Sequence, residues 1–201
     1  MWEWLALVVL VPLVLIPIVL LFGFAGCQLV FPHQGEPTFV TTFEIELPEQ
    51  SVQPRCTVIV RLEPPLRHDG NRVRVILQRA SGDLVIRKLF ISHAAPTGNR
   101  YDAAADLREV VGEAGQLVLA DPEGGPFELG TVDFQLDRSK PVLLAFDTGD
   151  AAAMREAATE GLPIGQAFVS LEGVFEADKP IRSQGYRVDD RIYAVQRIEV
   201  A

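Results

Sequence analysis

Residues 38–47 read Thr-Phe-Val-Thr-Thr-Phe-Glu-Ile-Glu-Leu, and their alternation decides the fold class. In an extended chain, successive side chains point to opposite sides. One side of this segment would then carry polar residues and the other would carry Phe39, Phe43, Ile45 and Leu47. The pattern predicts a β-strand with one buried face.

Segments of the same kind recur along the rest of the chain. Residues 56–62 alternate in the same way and stop at Pro64-Pro65. Residues 73–77 and 84–91 flank Ser81-Gly82-Asp83, and two apolar runs about a short Gly-containing loop predict a hairpin. Further strands are predicted at residues 116–120, 131–136, 141–147, 166–175 and 191–200.

Two segments are predicted to be short helices. Asp102 would cap a helix that runs through Val111 and ends at Gly112. Asp150 begins the run Ala-Ala-Ala-Met-Arg-Glu-Ala-Ala-Thr-Glu, closed by Gly161, whose residues favour a helix. Strands do not alternate regularly with helices, so the sequence predicts a mainly β fold: an antiparallel β-sandwich, Ig-like or jelly-roll-like, with one or two short helices.

The N-terminal residues predict a single transmembrane helix before this domain. Residues 5–24 contain no charged side chain, and as a helix they would extend about 30 Å, enough to cross a bilayer core. Pro12 and Pro17 would kink the helix, which membrane helices tolerate beside other protein. Aromatic residues near both ends resemble the interfacial belts of membrane proteins: Trp2, Trp4, Phe22 and Phe24.

The chain is therefore predicted to consist of an anchor (1–27), a linker (28–37) and a β domain (38–201). The chain has 27 acidic residues and 18 lysines and arginines, and Glu3 is the only one of them in the anchor. The rest of the chain therefore has 26 acidic and 18 basic residues, a net charge of −8. Such a charge excludes tracking of a nucleic-acid backbone and disfavours an anionic lipid surface. The first lysine or arginine is Arg55. Because nothing basic lies near the membrane, the expected location is the bacterial cell membrane, with the β domain on the periplasmic, extracytoplasmic side.

An alternative for the N-terminal segment is a cleaved signal. Phe24-Ala25-Gly26-Cys27 resembles the cleavage box of bacterial lipoproteins. The resemblance implies a lipid on Cys27 and removal of the residues before it. The box usually begins with Leu, and Trp2-Glu3-Trp4 stands where a basic region is expected. A retained anchor is thus the prediction and a lipoprotein the alternative, and Cys27 and Cys56 are expected to be unpaired.

One segment resembles a catalytic motif. Leu143-Leu144-Ala145-Phe146-Asp147-Thr148-Gly149 is similar to the Asp-Thr-Gly turn of retroviral-type aspartic proteases. The resemblance implies a second such aspartate from another subunit, with the two carboxylates sharing a proton. That family continues into a strand where this chain is predicted to be helical. The simpler interpretation is a strand end followed by a capping aspartate and a Gly turn.

The sequence predicts no metal, nucleotide or other cofactor site. The histidines are isolated from other potential ligands and are expected in surface loops: His33, His68 and His93. No phosphate-binding glycine loop is present. Aromatic residues of the C-terminal half are expected in the core: Phe168, Tyr186 and Tyr193.

These features predict a non-enzymatic accessory subunit of a larger membrane complex, of which a respiratory or photosynthetic assembly is one example. Its kinked helix would lie beside other membrane-protein subunits, and its β domain would cover their extracytoplasmic face. The alternative is a membrane-anchored, lipoprotein-like module that captures a ligand, of unknown chemistry, on its loops. The third hypothesis is the aspartic protease.

Overall fold

The computed structural model describes residues 37–81, 84–110, 117–119, 124–149, 152–160 and 162–201. The predicted anchor, the lipidation residue and the linker up to residue 36 lie outside these ranges. Among the described residues every regular element is a β-strand, and no helix suited to crossing a membrane is found. The strands are β1 Val40–Glu44, β2 Glu49–Gln53, β3 Thr57–Leu62, β4 Gly70–Gln78, β5 Leu84–His93, β6 Arg108–Glu109, β7 Leu117–Leu119, β8 Pro126–Leu136, β9 Val142–Thr148, β10 Ala152–Ala158, β11 Gly165–Val169, β12 Arg187–Asp189, β13 Arg191–Tyr193 and β14 Val195–Val200.

The strands form three antiparallel sheets within one compact unit, Thr38–Ala201. Sheet A has the order β1-β14-β4-β8, and sheet B has the order β13-β10-β2. Sheet C has the order β12-β11-β3-β9-β5-β6, with β7 also paired to β5. The predicted mainly β, antiparallel and sandwich-like character is confirmed.

Sheet C is covered on both faces, which explains why its middle strands are almost entirely apolar. Every residue of β9 is buried. Side chains such as Val58 and Phe146 pack into the main core with sheets A and B. Side chains such as Ile59 and Ala145 pack into a second, smaller cluster. Residues 170–186, the 170–186 loop, supply Ala177 and Tyr186 to this second cluster.

The strand registers define two ends of the unit. In sheet A, Val40 pairs with Val200 and Gly70 pairs with Leu136. In sheet C, Val142 lies between Leu62 and His93. Short connections from β3 to β4 and from β8 to β9 bring these residues to the same end, which we call the Val40 end. The opposite end, the Thr148 end, carries Thr57, Leu84 and Thr148.

The predicted hairpin between residues 73–77 and 84–91 is wrong, although both strands exist. β4 pairs with β14 and β8 in sheet A, whereas β5 pairs with β9, β6 and β7 in sheet C. Both strands present apolar side chains to the main core, but from opposite sheets. Alternation identifies the buried face of a strand and not its partner, so a sheet-to-sheet crossing has the same pattern as a hairpin.

The predicted helix from Asp102 is also wrong. Ala103 forms a β-bridge with Ala94, and β6 pairs with β5. The Asp102 carboxylate does accept backbone hydrogen bonds, but from Asn99 N at 2.8 Å and Arg182 N at 3.0 Å. The Asp102 side chain therefore stabilises a turn and fixes a distant loop. Short acidic side chains commonly stabilise turns in this way as well as capping helices.

The second predicted helix, at residues 150–161, is replaced by β10. This strand pairs with β2 on one side and β13 on the other. Met154, Glu156 and Ala157 are buried there. Hydrogen bonds on both sides of the strand and burial of its side chains outweigh the intrinsic helix preference of the alanines, which amounts to only a few tenths of a kcal/mol per residue.

Replacing Ala158 with valine should raise the free energy of unfolding by about 0.3–0.5 kcal/mol. Ala158 is an exposed residue of β10 opposite Arg191, and β-branched residues favour a strand but disfavour a helix. Urea unfolding of the full chain in detergent micelles measures the change. Ala158→Gly is the control and should be destabilising. A loss of stability in the valine variant would contradict the strand assignment.

Two predicted strands have different bounds in the structure. The strand predicted at residues 166–175 ends at Val169, and the chain then enters the 170–186 loop. The strand predicted at residues 191–200 is interrupted at Ala194, whose φ is +57°. This left-handed residue lets the chain pass from β13 in sheet B to β14 in sheet A.

Candidate functional site

Asp147, the central residue of the protease-like motif, lies at the end of β9 and is 2 % exposed. Its carboxylate accepts hydrogen bonds from Thr57 Oγ1 at 2.6 Å and from Ala177 N at 3.2 Å. The next residue, Thr148, accepts a bond from Cys56 N at 2.9 Å through Oγ1. The motif therefore holds together the ends of β3 and β9 and the 170–186 loop.

This geometry does not favour the protease hypothesis. The strand β10 follows the motif, so the expected helix no longer distinguishes this chain from that family. A catalytic carboxylate, however, must reach water and substrate, and both hydrogen bonds to Asp147 come from the chain itself. The predicted strand end is confirmed, and Asp150 lies outside the described residues.

The Asp147→Asn variant should lose one component of the pH dependence of stability. Burial raises the pKa of the Asp147 carboxyl, and Asp178 raises it further while Thr57 and Lys88 oppose the shift. The folded state therefore binds this proton more readily than the unfolded chain. Asp147 contributes a gain in the free energy of unfolding as the pH falls through the folded-state pKa towards the unfolded value of about 3.9.

The measurement is urea unfolding of the full chain and the variant between neutral and mildly acidic pH. The stability of the wild type relative to Asp147→Asn should increase as the pH falls. Asp133→Asn, at an exposed carboxylate, is the matched control. A difference that is constant with pH, or that shrinks on acidification, would contradict the assignment.

Cys56 lies beside this motif as a fully buried free thiol. Burial raises its pKa to about 11. At neutral pH it is therefore protonated, and the thiol is not the reactive form of a cysteine. Cys27 lies outside the described residues.

A buried ionic cluster under the 170–186 loop was not predicted. Arg182 is 3 % exposed, and its guanidinium donates to the carbonyl oxygens of Glu176 at 3.2 Å, Ala177 at 3.3 Å and Tyr101. Burial lowers the pKa of Arg182, but a guanidinium stays charged in proteins. These bonds fix the loop to the turn around Tyr101.

Glu176 completes this cluster. Its carboxylate accepts bonds from Ser183 N at 2.8 Å, Ser183 Oγ at 2.9 Å and Lys179 Nζ at 3.2 Å. Burial alone would raise the pKa of Glu176, but the bonds from Ser183 and Lys179 lower it. The cluster is saturated by the chain's own groups, so its role is to hold the loop on the sheet.

The position of His93 differs from the one predicted from the sequence. This residue was predicted in a surface loop, but it ends β5 and is buried. Nδ1 lies 2.5 Å from Asp106 Oδ2, and Nε2 accepts a bond from Asp137 N at 3.1 Å. Both ring nitrogens are thus occupied. His68 is exposed as predicted, and His33 lies outside the described residues.

The aromatic residues behave as expected from the sequence. Phe168, Tyr186 and Tyr193 are all buried, and Tyr101 packs against Phe168 and Tyr186 at centroid distances of 5.3 and 4.6 Å. Their rings are core residues. Across the described part of the chain, no three acidic, histidine or cysteine side chains gather in an arrangement that could hold a metal ion.

Three shallow grooves open at the Val40 end. The first, which we call the proline groove, has a volume of about 270 Å³ and lies between β1, Pro64-Pro65 and Pro163-Ile164. The second, of about 230 Å³, continues from Glu63 and Pro163 to Arg100 and Asp190. The third, of about 360 Å³, lies over His93, Asp106 and Lys140.

The proline groove has an apolar floor and a charged rim. Phe43 and Leu66 are buried in its floor, and Ile164 is partly buried. On the rim, Glu63 accepts bonds from Arg61 Nε at 2.7 Å and Arg100 Nη2 at 2.9 Å. Burial would raise the pKa of Glu63, but these two arginines lower it. The rim is therefore charged and held in place.

No protein-family model and no curated protein matches this sequence.

Proposed function

We propose that this chain is a non-enzymatic, single-pass accessory subunit of a larger membrane protein complex. In this proposal residues 5–24 form one transmembrane helix, and an Ig-like or jelly-roll-like sandwich covers the extracytoplasmic face of neighbouring subunits in a bacterial cell membrane. The observation that carries it is the position of the three grooves. They open at one end of the Thr38–Ala201 unit, the end at which β1 begins.

The arrangement of the ionisable groups supports recognition rather than catalysis. The carboxylates of Asp147 and Glu176 and the ring of His93 each bond to groups of the same chain. Groups that are already saturated hold the fold together. The Val40 end has an apolar floor and a charged rim in its proline groove, which is the usual composition of a protein interface.

The proline groove is the surface through which we expect docking. Its walls are strands and prolines, so little conformational freedom is lost when a partner binds. Leu162 lies beside it, 56 % exposed, and lines the adjoining groove. An exposed leucine next to an apolar groove offers an anchor for a neighbouring subunit.

Purification of the full chain from its native membranes in mild detergent tests the proposal. The chain should be recovered with stoichiometric membrane-protein partners. Leu162→Glu should lose them, whereas the control Ile181→Glu, at a residue that is 78 % exposed on the 170–186 loop, should keep them. Recovery of the wild-type chain as a lone monomer would contradict the proposal.

The proposed orientation has its own test. In sealed vesicles, a protease added to the extracytoplasmic face should digest the β domain. Digestion only from the cytoplasmic face would reverse the orientation.

A lipoprotein-like binding module is the second candidate, and Phe24-Ala25-Gly26-Cys27 is the observation that favours it. Intact-mass measurement of the mature chain separates the two. A chain that begins at Met1 supports the anchor, and a chain that begins at a lipidated Cys27 supports the lipoprotein.

A further inference from the structure

Two arginines at the Thr148 end stack on the same aromatic ring. The guanidinium carbons of Arg55 and Arg87 lie 5.4 and 5.5 Å from the centroid of Phe175. Both arginines are exposed, and Phe175 is half-buried. Both distances lie within the range of a cation–π attraction, and a guanidinium held over a ring keeps the planar set of N–H donors that can bind a carboxylate.

These two arginines differ from most others in the chain. In the described ranges, neither has a carboxylate within ion-pair distance, and neither side chain donates a hydrogen bond to the protein. Many other arginines have a carboxylate partner: Arg61, Arg72, Arg74, Arg100, Arg138, Arg187, Arg191 and Arg197. In an acidic domain, two adjacent cations without an acidic partner mark a place where outside carboxylates are favoured.

An exposed leucine completes the surface. Leu171 is 69 % exposed and begins the turn whose Gly173 N donates to Arg55 O at 2.7 Å. We call Arg55, Arg87, Leu171 and Phe175 the Phe175 patch. Arginine, aromatic and aliphatic side chains in one place combine charge recognition with apolar contact area.

We propose that the Phe175 patch binds an acidic segment of a partner protein, with carboxylates at alternate positions of an extended chain. Each carboxylate would accept paired hydrogen bonds from one guanidinium. Alternate side chains of an extended segment are about 7 Å apart. That spacing is compatible with two guanidinium carbons that each lie within 5.5 Å of one ring centroid.

The choice of partner follows from the charge of the domain. A polyanionic surface, such as a nucleic acid or an anionic bilayer, would be repelled by the net charge of −8 beyond residue 27. A short acidic segment contacts only the patch and its immediate surroundings. The patch lies at the end opposite the three grooves, so this inference does not depend on the proposed accessory function.

The test uses the full chain, labelled with ¹⁵N-arginine, in micelles of a zwitterionic detergent. The probe is the peptide acetyl-Gly-Glu-Val-Glu-Gly-amide, and its matched control carries Gln in place of both Glu residues. The Glu peptide should shift the Nε–Hε resonances of Arg55 and Arg87 with saturation in the millimolar range, and salt should weaken the effect. The Arg55→Gln variant should weaken the binding measured at Arg87 by about two- to five-fold.

Two controls make the experiment decisive. Arg72→Gln, at an exposed arginine already paired with Asp133, should leave binding unchanged. Equal shifts with the Gln peptide, or equal shifts at Arg72 and at the patch, would overturn the proposal. Inorganic phosphate that binds the pair more tightly than the Glu peptide would also overturn it, because the patch would then be a small-anion site.

Discussion

Replacing Arg182 with methionine is expected to lower the free energy of unfolding by about 3–5 kcal/mol. The guanidinium is the donor to three carbonyl oxygens under the 170–186 loop. Methionine fills similar space but donates nothing. Glu176 O would still accept a bond from Lys179 N at 3.1 Å, but the carbonyls of Tyr101 and Ala177 would lose the bond from Arg182. Each buried carbonyl without a donor costs on the order of 1–3 kcal/mol. Urea unfolding of the full chain in detergent micelles, followed by the circular dichroism of the β domain, measures the loss.

Arg187→Met is the matched control for Arg182. Arg187 is exposed and pairs with Asp189 at 3.3 Å, so its replacement should change stability by no more than about 0.5 kcal/mol. Relative to the wild type, the Arg182→Met variant should also show a larger acceleration of amide exchange in the 170–186 loop than in β3 or β9. Equal stabilities of the two variants would show that the buried guanidinium does not hold the loop.

Replacing Phe146 with alanine is expected to lower the free energy of unfolding by about 3–5 kcal/mol. Phe146 is fully buried in β9 between Val58 and Leu89, and its ring belongs to the main core. A central strand cannot move to fill the cavity without disturbing both neighbouring strands. The same urea experiment measures the loss.

Phe90→Ala is the comparison that tests which face of sheet C carries more stability. Phe90 is only partly buried and packs against the second cluster, so less apolar area is lost on truncation. The loss should be less than half of that for Phe146→Ala. A larger loss at Phe90 would make the cluster under the loop the principal core.

The strands that could be predicted from the sequence are those with a regular local pattern. Residues 56–62 and 84–91 alternate or run apolar, and they appear as β3 and β5. The alternating or apolar pattern can be recognised within one strand, because each residue is apolar or polar according to whether its own side chain is buried. The partner of each strand depends on the whole fold, and for this reason the predicted β4–β5 hairpin fails.

The contacts under the 170–186 loop could not be predicted, because they join distant parts of the chain. Arg182 binds Asp102 and Tyr101 about eighty positions earlier. Loop residues have no periodicity that would mark them as buried. The sequence around Asp102 did predict a carboxylate that accepts hydrogen bonds from backbone N–H groups. It did not identify the donors, which are Asn99 N and Arg182 N.

The candidate surfaces illustrate the same limit. Pro64-Pro65 predicted the end of a strand, and only the fold places it opposite Pro163-Ile164 as a groove wall. Arg55, Arg87 and Phe175 lie on three separate segments of the chain. In sheet C only β9 lies between β3 and β5, so Arg55 beside β3 and Arg87 in β5 are close enough for both to lie over the Phe175 ring. The motif that contains Asp147 could be recognised in the sequence, but the burial of its carboxylate could not be predicted.

The alanine-rich strand β10 has a consequence for the order in which the molecule assembles. Its neighbours β2 and β13 come from about a hundred residues earlier and some thirty-five residues later. Until both are in place, the local preference of residues 150–160 acts alone and favours a helical turn. An isolated helix of this length is marginal in water, so refolding should show only a small transient excess of helical circular dichroism, which disappears when these residues pair with β2 and β13.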